Sequence, residues 1–439
     1  MSLRVNYFSN FCFSALLISF SFFSANLFSH TQEAQFTGDQ VLDPSLPWWE
    51  AGDSYAYSVS IDGDTAAVGA SREEGQNVGY VYIYVRDSGG NWTQQAKISN
   101  PGAAANFGRK IALHNDTLLV AAIAAGDYQG TGSAHIFVRD GSGNWTLEAN
   151  LAGDSNNLDG FGFSGDLYEN TAVVGAWHDD DQGPNSGAVH VFVRDGTTWT
   201  REAKLYSSDM DINDHFGRAL TLEGDTLAVN SMMDLNPAGL YAGNAYVFVR
   251  QDGAWVEQAK LEASDGNGAD NMGLSLDING DYLVAGAFGD DAVGGNNRGS
   301  AYVFRRNNCT WVEDAKLEPN KVNDNMNFGQ AIAIQGDVII VGAPGDDDLG
   351  DRAGAAYIFS RDSGSWIQDS KILPSISSSI YGDDGIVRVN FGAAIDLSDD
   401  KSVIGALNYI LGDVYMHDLD TDNVAYSVQD KICFDGCHP

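Results

Sequence analysis

The sequence predicts an all-β protein, a seven-bladed β-propeller in which each blade is a four-stranded antiparallel sheet. Three observations carry this. One motif recurs seven times at near-constant spacing, a turn sits at a fixed interval inside each copy, and the composition favours strands joined by tight turns. In 439 residues there are 50 glycines and only 9 prolines, and 11% of the chain is aromatic. Such a balance suits short strands rather than long helices.

The motif is a Phe-Gly step. It stands at Phe107-Gly108, Phe161-Gly162, Phe216-Gly217, Phe328-Gly329 and Phe391-Gly392, with Tyr55-Ala56 and Met272-Gly273 as variants. Successive copies are 52, 54, 55, 56, 56 and 63 residues apart, a period that signals a repeat architecture. A small-residue step follows each copy after fourteen residues: Gly69-Ala70, Ala121-Ala122, Gly175-Ala176, Asn230-Ser231, Gly286-Ala287, Gly342-Ala343 and Gly405-Ala406.

Between the two steps lies a turn, as at Gly63-Asp64, Gly224-Asp225, Gly280-Asp281 and Gly336-Asp337. The stretch 331–343 alternates small and apolar residues, turns at Gly336-Asp337, and returns as a β-branched run. That pattern is a hairpin. The closing glycine predicts a close approach by another backbone.

A third strand follows, ending in an aromatic and an arginine, as in 243–250, 299–306 and 354–361. The fourth begins at Trp92, Trp145, Trp199, Trp255, Trp311 or Trp366, each followed after five residues by Lys97, Asn150, Lys204, Lys260, Lys316 or Lys371. Four strands in about 55 residues make a propeller blade, and the in-register aromatics are expected to pack between blades. The repeat Arg and Lys are expected to pair with neighbouring acids. The last blade is least regular, with His417 and Leu419 in place of the aromatic and arginine. Its fourth strand has two candidates: residues 36–42, where Phe36 and Val41 keep the Trp-to-Lys interval, and residues 424–432, where Tyr426 and Lys431 do.

The ends read differently. Arg4 precedes an uncharged apolar stretch over 11–28 with small residues Ser24 and Ala25, which predicts a secretory signal peptide over residues 1–30. An uncleaved anchor is the alternative, disfavoured by the frequent serines; the mature chain is expected to hold no membrane-spanning segment. Residues 31–54 form an N-terminal segment, 55–432 the blades, and 433–439 a tail containing Cys433 and Cys437. With Cys309 these make an odd number of thiols after Cys12 is removed, and a small Cys433–Cys437 loop or inert thiols are expected. The net charge of −36 excludes nucleic acid as a partner, because phosphate binding needs clustered bases.

The Phe-Gly, Gly-Asp and Gly342-Ala343-Pro344 steps resemble FG-GAP repeats over about residues 55–432. The resemblance implies an extracellular seven-bladed propeller used for adhesion or protein recognition, of the kind found in the head of integrin α subunits. Calcium-binding integrin repeats carry an Asp-rich loop between the first two strands. Here that position holds only a tight turn, so those calcium sites do not carry over. With no membrane helix expected after the blades, the chain is not expected to be an integrin subunit.

Acids gather instead in other loops: Asp209, Asp211, Asn213 and Asp214; Asp265, Asn267 and Asp270; Asp346, Asp347 and Asp348; and also Asp179 to Asp181 and Asp290-Asp291. Alternate oxygens could meet one calcium ion, and solvated loop acids are the alternative. Catalytic motifs are lacking: Ser164 in 162–165 misses the nucleophile-elbow spacing, and His178 beside Asp179 is the nearest acid–base pair. The expected function is a secreted or cell-surface binding or adhesion protein, not an enzyme, recognising an extracellular protein or glycan through rim loops. An extracellular glycan lyase or hydrolase with a central-channel site, and a structural envelope or matrix protein, are the alternatives.

Overall fold

The computed structural model describes residues 30–37, 54–71, 79–102, 106–123, 132–154, 159–235, 240–291, 296–321, 323–375, 389–407 and 412–419. They form seven four-stranded antiparallel sheets, the predicted seven-bladed propeller. Six blades are consecutive in sequence: 55–99, 110–151, 161–205, 216–261, 275–317 and 332–372. In the third, the strands are Phe161–Tyr168, Thr171–Ala176, Ala188–Asp195 and Thr198–Leu205, in that order across the sheet. Among the described residues no helix is long and apolar enough to cross a membrane.

The seventh blade is made of Phe391–Ser398, Lys401–Ala406 and Asp413–Leu419, and its outer strand comes from the start of the chain, His30–Thr37. Ring closure is therefore N-terminal, but six residues away from the predicted register. His30 occupies the position of the repeat tryptophan and Gln35 that of the lysine: Gln35 faces Tyr415 just as Lys97 faces Tyr82. Phe36 instead pairs with Val414. Residues 424–432, Cys433, Cys437 and the signal-peptide stretch before His30 lie outside the described residues. Cys309, in the turn between the third and fourth strands of blade 5, is disulfide-bonded.

First strands touch the first strands of the adjacent blades all round the ring, so they line its axis. The Phe-Gly aromatics lie between blades: Phe107 packs with Ile83 and Ile98 of blade 1 and Phe137 of blade 2. Each also meets an aromatic of the third strand edge-on, as Phe328 meets Tyr357 at 5.5 Å and Phe391 meets Tyr415 at 5.1 Å. In the last blade His417 stands in for the second aromatic, 6.5 Å from Phe391.

Close backbone approach explains the glycine pair. A Cβ on Gly342 would lie 2.0 Å from the carbonyl oxygen of Gly392 in the next blade, which itself sits at φ +86°. The same contact joins Gly69 to Gly108, Gly175 to Gly217 and Gly286 to Gly329.

At the circumference, the repeat tryptophan indole N–H of blades 1–5 reaches back to the fourth strand of the preceding blade, while in the sixth the Trp366 N–H is buried without a hydrogen-bond partner among the described residues. Trp145 donates to Gln95 (3.0 Å), Trp199 to Glu148 (2.9 Å), Trp255 to Glu202 (3.0 Å) and Trp311 to Gln258 (2.8 Å). Trp92 donates to Glu33 (3.0 Å) of the N-terminal strand, which also accepts from Arg86. Repeat arginines pair with the turn acids as expected, for example Arg139 with Asp116 at 2.6 Å.

Candidate functional site

Antiparallel strands place the tight turns of every blade on one face. The longer loops, between second and third strands and from one blade to the next, lie on the other. All the acidic candidates lie on this long-loop face, and the structure gives most of them a protein partner.

A repeat lysine sits among them. In blade 4 Lys260 lies 2.8 Å from Asp209 and 2.9 Å from Asp234, and the Tyr246 hydroxyl donates to Asp209 at 2.6 Å. In blade 5 Lys316 lies 2.7 Å from both Asp265 and Asp290, with the Tyr302 hydroxyl 2.7 Å from Asp265. In blade 6 Lys371 lies 2.6 Å from Asp346 and also pairs with Asp348, while Lys321 pairs with Asp347 (2.7 Å) and Asp348.

Blade 3 repeats the pattern, with Lys204 within 2.8 Å of Asp154, 2.6 Å of Asp179 and 2.5 Å of Asp181. Burial pulls the Lys204 ammonium down, but its three carboxylates more than offset this and raise it above the ordinary lysine value. Among the described residues, two trios bring ligand atoms within 4.8 Å of one another, Asp154 with Asp179 and His190, and Asp346 with Asp347 and Asp348. Both are trios in which a lysine ammonium already meets the carboxylates.

The remaining candidates organise the loops. Asp214 accepts the backbone N–H of Asp211, and Asp270 that of Asn267, each at 2.5 Å. Burial raises both carboxyls to about 6. Asn213 accepts from the Asn185 amide at 3.1 Å, and Asp211 is exposed. His178 and Asp179 do not form a pair: the His178 ring packs 3.6 Å from Trp177, and burial lowers it to about 4. Ser164 donates to the carbonyl of Gly217 at 2.7 Å, a bond between blades.

Along the axis, the residue five places after the first residue of the Phe-Gly step is Asp166, Asp277 or Asp396 in blades 3, 5 and 7. Each carboxylate accepts a backbone N–H of the next blade: Asp166 from Leu222 (2.7 Å), Asp277 from Ile334 (2.7 Å) and Asp396 from Ile61 (2.8 Å). Burial raises all three carboxyls, that of Asp396 to about 6. Their chemistry at this position is to staple one blade to the next.

The cluster that motif reading missed lies where the axis opens onto the long-loop face. The residue directly after each Phe-Gly step is Tyr57, Arg109, Phe163 and Arg218 in blades 1–4, then Leu274, Gln330 and Ala393. On the first side, rings and guanidinium groups alternate. Arg109 lies 4.9 Å from the Tyr57 ring and 4.8 Å from that of Phe163. Arg218 lies 5.7 Å from Phe163 and 5.1 Å from Trp177. Trp177 is 4.9 Å from both Phe163 and His215. Apart from buried Trp177, these side chains are half-buried, neither core nor free surface. The signal was in the sequence, at the position directly after the motif, where the seven repeats diverge in chemical type.

No curated protein matches the chain significantly. The FG-GAP repeat family model matches six stretches, residues 49–84, 92–137, 145–192, 199–248, 255–304 and 311–359. Each of the last five opens on a repeat tryptophan and ends in the third strand of the following blade, in phase with the geometry above; the irregular seventh blade is not among the matched stretches. These stretches cover more than half of the chain, which therefore belongs to the FG-GAP repeat family.

Proposed function

We propose that this propeller is a secreted or cell-surface binding protein that holds an extracellular protein or glycan on its long-loop face, centred on the axial mouth of blades 1–4. The observation that carries the reading is the ladder of Tyr57, Arg109, Phe163, Arg218 and Trp177. Tryptophan, tyrosine and arginine are the residues that dominate binding energy at recognition surfaces. Rigid rings also present area at little entropic cost.

Secretion is supported by the basic-then-apolar leader and by the disulfide at Cys309, which suits an oxidising compartment. A binding role is favoured over catalysis because the axial acids already serve as acceptors for neighbouring backbone. The calcium-shaped loops likewise hold lysines that do the work of a cation.

The test is an array of extracellular glycans and matrix proteins probed with the mature protein and with the Phe163→Ala/Arg218→Ala double variant. A ligand bound by the wild type and lost by the variant, recovered chemically unchanged, is the expected result. Turnover of the ligand, or binding indifferent to the double variant, would overturn the reading.

A further inference from the structure

Two histidines sit beside Trp177 at positions where other blades place different residues. His215 precedes the Phe-Gly step of blade 4, in the left-handed region at φ +56°. The same position is Asn106, Asn271, Asn327, Asn390 or Gly160 in other blades, all at positive φ, the residue types that adopt this conformation most readily. His178 is the second residue after the small-residue step of blade 3, where blades 5 and 6 have Gly289 and Gly345. Neither the turn nor the loop calls for an imidazole.

The fold brings the two half-buried rings together across the junction of blades 3 and 4. Their centroids are 5.2 Å apart, and both lean on Trp177, whose ring lies 3.6 Å from His178 and 4.9 Å from His215. The His178 backbone N–H is fixed on the Asp159 carbonyl at 3.0 Å. His215 Nδ1 lies 3.3 Å from the Trp177 carbonyl oxygen. A carbonyl can only accept, so Nδ1 carries the proton and the Nε2 lone pair is left free. Metal-ligating histidines are oriented in this way, through the second nitrogen. Neither His215 Nε2 nor either ring nitrogen of His178 has a hydrogen-bond partner among the described residues, and all three reach solvent.

We infer that His178 and His215 form a two-imidazole site for a divalent transition-metal ion on the long-loop face. An ion about 2.0–2.1 Å from each nitrogen, held at a tetrahedral angle, puts the two ring centroids about 5.2 Å apart. The observed separation matches. Imidazole nitrogen suits zinc, nickel and copper, whereas calcium takes oxygen. The remaining coordination positions fall to water or to a donor atom of whatever larger molecule the face holds. Charges around the pair are divided. Exposed Asp180 favours a cation at His178, while Arg218, whose Nη1 meets Met232 Sδ, opposes one. Asp154 and Asp179 are taken by Lys204, so the ion rests on the imidazoles.

The experiment is calorimetric titration of the metal-stripped mature protein with zinc and with nickel, followed in parallel by tryptophan fluorescence. One zinc ion per chain should bind saturably, and calcium in excess should not displace it. His215→Asn installs the residue that Asn271 and Asn327 show this turn accepts, so the metal-free melting temperature should hold while zinc affinity falls at least tenfold. His178→Gln should weaken zinc likewise. Nickel should quench fluorescence through Trp177, which packs on both rings, and Trp177→Phe should remove that quench.

Failure of both ions to saturate, or zinc binding to His215→Asn as tight as to the wild type, would overturn the inference. So would displacement of zinc by calcium, or a nickel quench that survives Trp177→Phe in full. His190→Gln tests the neighbouring trio of Asp154, Asp179 and His190. Zinc affinity that falls in that variant but not in His215→Asn would place the ion there and sink the two-imidazole site.

Discussion

The carboxylate of Asp396, in the seventh blade, accepts the backbone N–H of Ile61, in the first, at 2.8 Å. The ring is thus closed at its axis by a side chain as well as at its circumference by a strand. Asp396 also accepts the N–H of its own neighbour Leu397 at 2.9 Å, so both oxygens face backbone donors.

That arrangement makes stability pH-dependent with a definite sign. The Asp396 carboxyl titrates at about 6 in the folded protein against 3.8 unfolded, because burial disfavours its charge. Its contribution to stability is therefore fully present below the unfolded value and is lost as pH rises through about 6. Asp159, Asp214 and Asp270 shift the same way, each to about 6. His178, His190 and His417, each lowered to about 4 by burial, act in the opposite sense over the same range, so the Asp396 share is read by comparing the wild type with Asp396→Asn at pH 5 and pH 7.5. Asp396→Asn should change the stability difference between pH 5 and pH 7.5 by about 1.4 kcal/mol, because about one pKa unit lies between pH 5 and the folded value of about 6. An Asp396→Asn variant with the same pH dependence as the wild type would contradict this.

The lysine-centred loops predict a calcium response. Calorimetric titration of the wild type with calcium should be flat at blades 3–6, since ammonium groups already meet the carboxylates. Lys316→Ala should lower stability by about 2 kcal/mol, less than the roughly 3–5 of a fully buried pair, because the Lys316 side chain is 22% exposed. The same variant should gain a melting-temperature increase on adding calcium, as Asp265 and Asp290 become available. A calcium-stabilised wild type would show that the ions displace the lysines.

Two glycines of blade 6 should behave oppositely. Gly342→Ala places a Cβ 2.0 Å from the Gly392 carbonyl, so the two blades must separate. A loss of more than about 3 kcal/mol is expected, as for other strained or overpacked core sites. Gly336 sits in the hairpin turn at φ +55° with nothing within 4 Å of its missing Cβ. Gly336→Asn, which tolerates that conformation, should cost less than about 1 kcal/mol. Urea melts of the two variants decide it.

Deleting residues 30–37 should remove cooperative folding of the last blade. Blade 7 would keep three strands and expose the edge of Asp413–Leu419, and Trp92 and Arg86 would lose Glu33. Glu33→Gln, keeping the strand, should cost only about 1 kcal/mol, the scale of one charged hydrogen bond weakened. Equal stability of the deletion and the full chain would contradict this.

Repeat, turns and interblade aromatics were legible because they recur: the same physics must be solved seven times, and only Ala121 and Asn230 replace the glycine of Gly342, and only Tyr55 and Met272 the phenylalanine of Phe328. The closing strand was legible as N-terminal but not in register, since its marks are His30 and Gln35 rather than tryptophan and lysine. What survives there is Glu33, three residues on, as Glu148 stands three after Trp145 and Glu202 three after Trp199. The acid clusters were conspicuous in sequence, but which lysine met each could be seen only once Lys260 and Lys316 were folded back over their loops. The axial mouth was hidden for the opposite reason. Arg109 and Arg218 lie where the repeats differ, and a search for recurrence passes over them.

N-terminal closure has a consequence for how the molecule comes into being. Gln35 bonds to the Tyr415 hydroxyl across 380 residues of chain. During synthesis the His30–Thr37 strand must thus stay unpaired until the last blade has been made, and blade 1 must wait with the flank that meets blade 7 open. Assembly is committed only at its final step, so an incomplete chain has no closed state to rest in. The same dependence sets a limit on processing. Any cut near the amino-terminal side must fall before His30, or it removes part of the strand that seals the ring.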